Sequence, residues 1–421
     1  MLPTENLAVD ALERFLRYVR IDTQSAEDSE TFPSTAKQLD LSRLLVEELQ
    51  ALGIDDARLD ANGYVLASIP ATVEHEVPAL GLIAHVDTSP SVSGTDVKPV
   101  VHEHYDGGRL ELPGDPRQVL DPTESPELAR HAGHSLVTSD GTTLLGADDK
   151  AGVAEIMATA AYLVAHPELP HGPIKIGFTP DEEVGNGALH FDLEAFGAAV
   201  AITADGSTAG EIQDETFSAL QAKVTFTGVN IHPGLAKGQL LNAIKLAADL
   251  VAALPRDALS PETTEERGGF LHPVTIEGDA GEVRLTLILR DFDDEKLAGH
   301  EALLRRLAAE VAATDPRARV AVDVRRQYTN MKRFLDEYPR LMEAAREAIR
   351  RVGLEPITNL IRGGTDGSRL TELGLPTPNL FTGGHEYHSE REWICVEDMG
   401  LAAAAMVELA RVWAEPDANR A

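Results

Sequence analysis

Five short segments of this chain gather histidines and acids of the kinds that hold metal ions and move protons. The first reads Gly81-Leu82-Ile83-Ala84-His85-Val86-Asp87-Thr88; His85 and Asp87, two apart at a strand end, share one face. An imidazole ligand with a carboxylate to orient it is a recurrent metal-site arrangement, although a solvated strand end explains this pair equally well. The second, Leu145-Gly146-Ala147-Asp148-Asp149-Lys150-Ala151-Gly152, opens a helix. One acid there is accounted for by capping and the helix dipole, which leaves the other free to be a ligand. The third is Phe178-Thr179-Pro180-Asp181-Glu182-Glu183-Val184-Gly185. By itself it reads as a solvated loop; its functional reading has one Glu on a metal and its neighbour as general base. The fourth, Ala201-Ile202-Thr203-Ala204-Asp205-Gly206, runs a strand into an acid and a turn. The fifth, Thr382-Gly383-Gly384-His385-Glu386-Tyr387-His388-Ser389-Glu390, is a loop whose glycines let backbone approach closely. Each has an ordinary explanation alone. Together they offer imidazole and carboxylate ligands suited to Zn²⁺, and one shared carboxylate makes a two-metal site able to activate water and polarise a carbonyl.

The elements that carry these segments follow from periodicity. Leu7, Leu12, Phe15, Leu16 and Val19 recur at helical spacing, as do Leu39, Leu41, Leu44, Leu45 and Leu49. After Asp149 a helix is marked by Val153, Ile156, Met157, Ala160 and Leu163 and stopped by Pro167 and Pro170. Short β-rich runs at 64–69, 79–86, 174–178 and 198–203 alternate with the helical patterns, which predicts an α/β fold with a mixed central sheet flanked by helices. The acids sit where such strands end, the usual ligand-binding edge of an open α/β sheet.

Mid-chain, the pattern changes. Strands at 221–229, 270–276, 283–292 and 319–324 and helices at 240–254 and 294–314 run βαββαβ, with a hairpin turning at Gly278-Asp279-Ala280-Gly281. That order predicts a ferredoxin-like domain at 216–326, inserted into a discontinuous domain made of 1–215 and 327–421.

Composition bounds the function classes. The chain has 421 residues, with 37 Lys+Arg against 69 Asp+Glu and a formal net charge of −32. A surface this acidic repels nucleic acid and anionic membranes. No apolar run approaches the roughly 18–20 residues of a membrane span, and the first twenty residues carry no signal-peptide core. Cys395, the sole cysteine, excludes an intramolecular disulfide and reads as a buried structural thiol. A cytoplasmic location is expected.

In this order and spacing the five segments resemble the dinuclear zinc peptidases of family M20, and within it the aminopeptidases that act on tripeptides. The resemblance spans essentially the whole chain, and it is most specific at 145–152, at Ile231-His232-Pro233-Gly234 with Ala236-Lys237-Gly238, and at Ile361-Arg362-Gly363-Gly364-Thr365-Asp366-Gly367. It implies His85 and Asp205 on one zinc, Glu183 and His388 on the other, and Asp148 bridging both, with Co²⁺ or Mn²⁺ as substitutes. It implies Glu182 as general base acting with a metal-bridging hydroxide, Asp87 orienting His85, and a cis peptide at Asp148–Asp149. His232 would stabilise the oxyanion, and Arg290 would grip the terminal carboxylate of a small peptide in a bidentate fork. Asn242 and Gly364 are further substrate-contact candidates. The inserted domain would act as a lid, and a homodimer formed through it is compatible with the resemblance. The chain departs from the family at Ser207, where relatives often have glycine, and at His385, which is the alternative last ligand to His388. The rival readings are another M20 chemistry (dipeptidase, carboxypeptidase or N-acyl amino-acid hydrolase) at the same centre, and a catalytically silent binding protein that retains the fold.

Overall fold

The structure, a computed structural model, describes residues 2–416, so Met1 and the end of the expected C-terminal flank, 417–421, lie outside it. The chain divides into two compact units: residues 1–214, 333–359 and 365–421, and residues 215–332 with 360–364.

The first unit is built on a seven-stranded sheet in the order Arg58–Leu59, Val65–Ile69, Ile174–Thr179, Leu80–His85, Val200–Gly206, Asn379–Phe381, Ile212–Gln213. The four strands from Ile174–Thr179 to Asn379–Phe381 are parallel, and the outer ones antiparallel. Central parallel strands are covered on both faces, which is why 80–85 reads as an uninterrupted apolar run. Successive residues nonetheless serve different cores. Leu82 and Ile202 face a large core with Phe15, Leu41, Val153 and Met406, while Ile83 and Ala201 face a smaller one with Phe191, Phe196 and Leu370. Helices Thr4–Tyr18, Ala147–Ala165, Pro339–Arg351 and Val396–Ala414 contribute to the first core, and Asp366–Glu372 to the second. A second, four-stranded sheet orders Gly384–His385, Trp393–Cys395, Leu136–Thr138 and Val100–His102. Two or three residues per strand are too few to show a period, so none of its strands is evident in the sequence.

The second unit holds the βαββαβ pattern. Its sheet runs Phe270–Gly278, Glu282–Asp291, Ser218–Thr227, Arg319–Tyr328, all antiparallel, which is the ferredoxin-like strand order. Helices Ala243–Ala253 and Asp294–Ala312 share a core with Val224, Phe226, Leu285, Leu287 and Leu289. At the hairpin Gly278 has φ +128, and a Cβ there would run into the carbonyl of Glu282. The unit differs from the expected 216–326 for two physical reasons. Its last strand continues to Tyr328, and Asn330 is fastened by its N–H to Ser218 Oγ at 2.9 Å. Leu360–Ile361 is drawn in because it pairs in parallel with Glu215–Thr216. Among the described residues, no helix is long and apolar enough to cross a membrane.

Candidate active site

Three of the predicted segments come together because their strands are neighbours in register. His85 pairs with Thr179 and Ile83 with Thr203, so the C-terminal ends of the strands holding His85, the 181–183 acids and Asp205 lie side by side. Asp148 arrives from the helix Ala147–Ala165, where residues 148 and 149 are non-helical and joined by a cis peptide. Gly152, one turn on, sits so close to the sheet that a Cβ would meet the carbonyl oxygen of Ala204, the residue before Asp205. Glycine at that point lets the helix bring Asp148 to the strand ends.

Asp148 stands between the two histidines. Its Oδ1 lies 2.9 Å from His85 Nε2 and its Oδ2 3.2 Å from His388 Nε2. His388 Nε2 is also 2.8 Å from Glu183 Oε2, and His85 Nε2 is 3.9 Å from Asp205 Oδ1 and 4.0 Å from Glu182 Oε2. The Asp87 carbonyl is 3.1 Å from His85 Nδ1; a carbonyl only accepts, so the proton sits on Nδ1 and Nε2 faces the acids. The Asp87 carboxylate, 3.4 Å from the same ring nitrogen, also accepts the backbone N–H groups of Glu182 and Glu183 at 3.0 and 3.2 Å. Asp87 therefore orients both the imidazole and the acid loop.

The other acids divide by role. Asp181 accepts from the Ser34 backbone and hydroxyl and from Gln38, so it anchors the loop. Asp149 accepts the backbone N–H of His85 at 3.1 Å. Asp366 accepts from Thr179 Oγ1 at 2.6 Å. His388 points to Asp148 and Glu183, whereas His385 stacks on Trp393 with centroids 4.3 Å apart, its Nδ1 3.3 Å from the Ser207 hydroxyl. Ser207 also donates to the Gly384 carbonyl at 2.7 Å, so the two departures from the family pattern touch each other. Asp181, Glu386 and His388 all have left-handed backbone (φ 61, 54 and 59), the clustering of unusual conformation expected where geometry serves a site.

The electrostatics are those of a cluster in which acids outnumber the imidazoles that face them. Burial, reinforced by neighbouring carboxylates, holds Glu182 and Asp205 well above the usual carboxylate range and pushes Glu183 up to about 7. Burial also raises Asp148, but hydrogen bonds with His388 and His85 outweigh it and hold that carboxyl low. Glu183 Oε1 is buried with no hydrogen-bond partner. Nitrogen and oxygen ligands about 2.0–2.1 Å from a tetrahedral zinc stand about 3.3 Å apart, so the 2.8–3.9 Å spacings around Asp148 fit two ions.

Sequence reasoning passed over Glu392. Its buried carboxylate accepts the backbone N–H groups of Leu145, Gly146 and Asp148 at 2.9, 2.8 and 2.9 Å and so shapes the turn that presents Asp148. A lone Glu two residues beyond the 382–390 segment carries no spacing signal.

The remaining predicted residues belong to the second unit. Arg290 donates to Gln327 Oε1 at 2.9 Å and lies over the Tyr328 ring at 5.2 Å. Among the described residues it has no carboxylate partner, and burial lowers its pKa. Gly364 backs onto the Tyr328 ring so closely that no side chain would fit. Asn242 caps the helix Ala243–Ala253, its Oδ1 accepting the Ile244 N–H at 2.9 Å. His232 is exposed, with Nδ1 accepting the Gly234 N–H at 3.1 Å.

Comparison with known proteins identifies the family of the chain. Residues 127–412 match the model of peptidase family M20/M25/M40. A peptidase T of Geobacillus thermodenitrificans is 45% identical over 404 residues, 96% of this chain and 98% of the relative. The fold is shared with an aminopeptidase PepT from Bacillus cereus (TM-score 0.74, 24% identity, 97% of this chain and 99% of that one). It is also shared with a dinuclear metal-binding M20 peptidase from Bacillus subtilis (TM-score 0.64, 16% identity, 97% and 98%). With a family match over most of its length and close to half its residues shared with a relative matched end to end, this chain belongs to peptidase family M20/M25/M40.

Proposed function

We propose that the chain is an aminopeptidase that removes the N-terminal residue from tripeptides at a two-zinc centre held by His85, Asp148, Glu183, Asp205 and His388. The observation that carries this reading is Asp148 standing with one oxygen toward each histidine, at 2.9 and 3.2 Å, as a carboxylate shared by two ions would. When bound, the ions supply Lewis acidity that makes water a nucleophile near neutral pH and polarises a peptide carbonyl. Co²⁺ or Mn²⁺ would serve in place of Zn²⁺, which the nitrogen and oxygen donors permit.

The protein's own groups do the rest. Glu182 takes a proton from the attacking water and returns it to the leaving amine. It is buried beside the ligands, and its backbone is pinned by Asp87. Asp87 keeps His85 in the required tautomer and orientation. Arg290, held against Tyr328 and without a carboxylate partner among the described residues, receives the C-terminal carboxylate of the peptide and so measures its length. His232, exposed and mounted ahead of Pro233, donates to the oxyanion, and the ferredoxin-like unit serves as a lid. Asn242 and Gly364 contribute backbone-level contacts to substrate. The working location is the cytoplasm, which the unpaired sole cysteine suits.

Replacing Glu182 with Gln tests the reading. The variant keeps both metal ions, and turnover of a tripeptide falls about 10²–10⁴-fold, the usual contribution of a positioned acid–base group. Turnover within a few-fold of the parent at full metal content removes Glu182 from the role.

A further inference from the structure

Cys395 has neighbours that its isolation in the sequence conceals. It ends the strand Trp393–Cys395, which pairs with Leu136–Thr138 so that residue 395 lies opposite Leu136. That register brings the thiol to His131 and His134, which follow the short helix Pro126–Arg130. One ligand atom from each of the three residues lies within 4.8 Å of the other two. Cys395 Sγ is 3.7 Å from His134 Nδ1. Sulfur about 2.3 Å and nitrogen about 2.0–2.1 Å from a tetrahedral zinc stand about 3.6 Å apart, so this pair is already spaced as two ligands of one ion.

The surroundings are those of a ligand set. His131 Nδ1 donates to the Glu127 carbonyl at 2.8 Å, which fixes the ring and aims Nε2 inward at Asp398 Oδ2, also 2.8 Å away. A ligand histidine held through its far nitrogen by a backbone carbonyl is the usual outer support of a metal site. Cys395, Asp398 and His131 are 0, 5 and 7% exposed. Glu155, which Asp398 influences electrostatically, is fully buried with no hydrogen-bond partner on either carboxylate oxygen. One thiolate with the Asp398 carboxylate would neutralise a divalent ion in this pocket.

We propose that His131, His134 and Cys395, completed by Asp398, form a separate single-ion structural site for a divalent metal that favours mixed nitrogen and sulfur ligands, with Zn²⁺ as its occupant. It joins the 126–138 segment to the start of the helix Val396–Ala414, and it does not depend on the reaction assigned to the Asp148 centre.

The sole cysteine makes the test specific. The full chain is stripped with chelator and titrated with Co²⁺; the Asp148 centre offers only nitrogen and oxygen, so a near-ultraviolet thiolate-to-cobalt charge-transfer band reports Cys395 alone. The expected result is a band whose amplitude corresponds to one thiolate-bound Co²⁺ per chain and which is lost in Cys395→Ser and in His134→Gln. His134 is half-buried, so His134→Gln reads the site even where the buried Cys395→Ser fails to fold. Both folded variants bind one ion fewer than the parent. Absence of the band in the parent, or a band and metal content unchanged in His134→Gln, overturns the proposal and leaves the thiol a donor to Glu397, 3.5 Å away.

Discussion

Arg290 is the side chain proposed to set substrate length. Its guanidinium is half-buried, braced by Gln327 and Tyr328, and without an anionic partner among the described residues. A buried cation left in that condition is costly unless an incoming anion completes it. Replacement of Arg290 by Ala should raise KM for a free tripeptide about 10–100-fold, the ~1.5–3 kcal/mol of charge-assisted hydrogen bonds. The same change should leave KM for the C-amidated peptide nearly unaltered. An equal rise for both peptides would show that the residue supports structure rather than the carboxylate. Steady-state kinetics on the two peptides decides between them.

At the scale of elements, the site depends on how the turn 145–149 is held. Glu392 satisfies three of its backbone N–H groups, and Asp87 satisfies two in the loop after Thr179. Glu392→Ala would leave three buried donors unpaired, at about 1–3 kcal/mol each. The expected outcome is a lower Tm and metal affinity weakened about 10–100-fold, measured by calorimetric titration of the metal-free chain. Wild-type affinity in that variant would mean that Asp148 is positioned without Glu392. The long elements were legible in the sequence, because the helices after Asp149 and Asp293 and the strand 283–291 repeat their apolar residues often enough to reveal a period, and 80–85 is an uninterrupted apolar run. The five histidine- and acid-bearing segments stood out only in combination, since each had an ordinary explanation alone, and the roles proposed for them come from the family resemblance. Glu392 was not legible, since its partners lie about 245 residues away in the chain and are backbone groups that no side-chain pattern encodes. The His131, His134 and Cys395 cluster stayed hidden for the same reason: it exists only through the pairing of two three-residue strands.

For the whole molecule, the two proposed ions would have a structural as well as a chemical part. Buried acids around Asp148 exceed the imidazoles that oppose them, so metal-free protein carries an uncompensated cluster. Chelation should abolish turnover and lower Tm by several degrees, and Zn²⁺, Co²⁺ or Mn²⁺ should restore both, because an ion bound by the folded state alone stabilises it. A Tm unmoved by chelation would contradict a metal-loaded centre. The net charge of −32 is a different matter: two divalent ions would change it by only four, so the acidity belongs to the general surface and does not itself mark the proposed site. The most direct test of the central claim uses one tripeptide in free, N-acetylated and C-amidated forms with the metal-loaded enzyme. The account predicts release of the N-terminal residue from the free peptide, little cleavage of the amidated form and none of the acetylated one. Cleavage of the acetylated peptide as fast as the free one would contradict it and point to another M20 chemistry at the same centre.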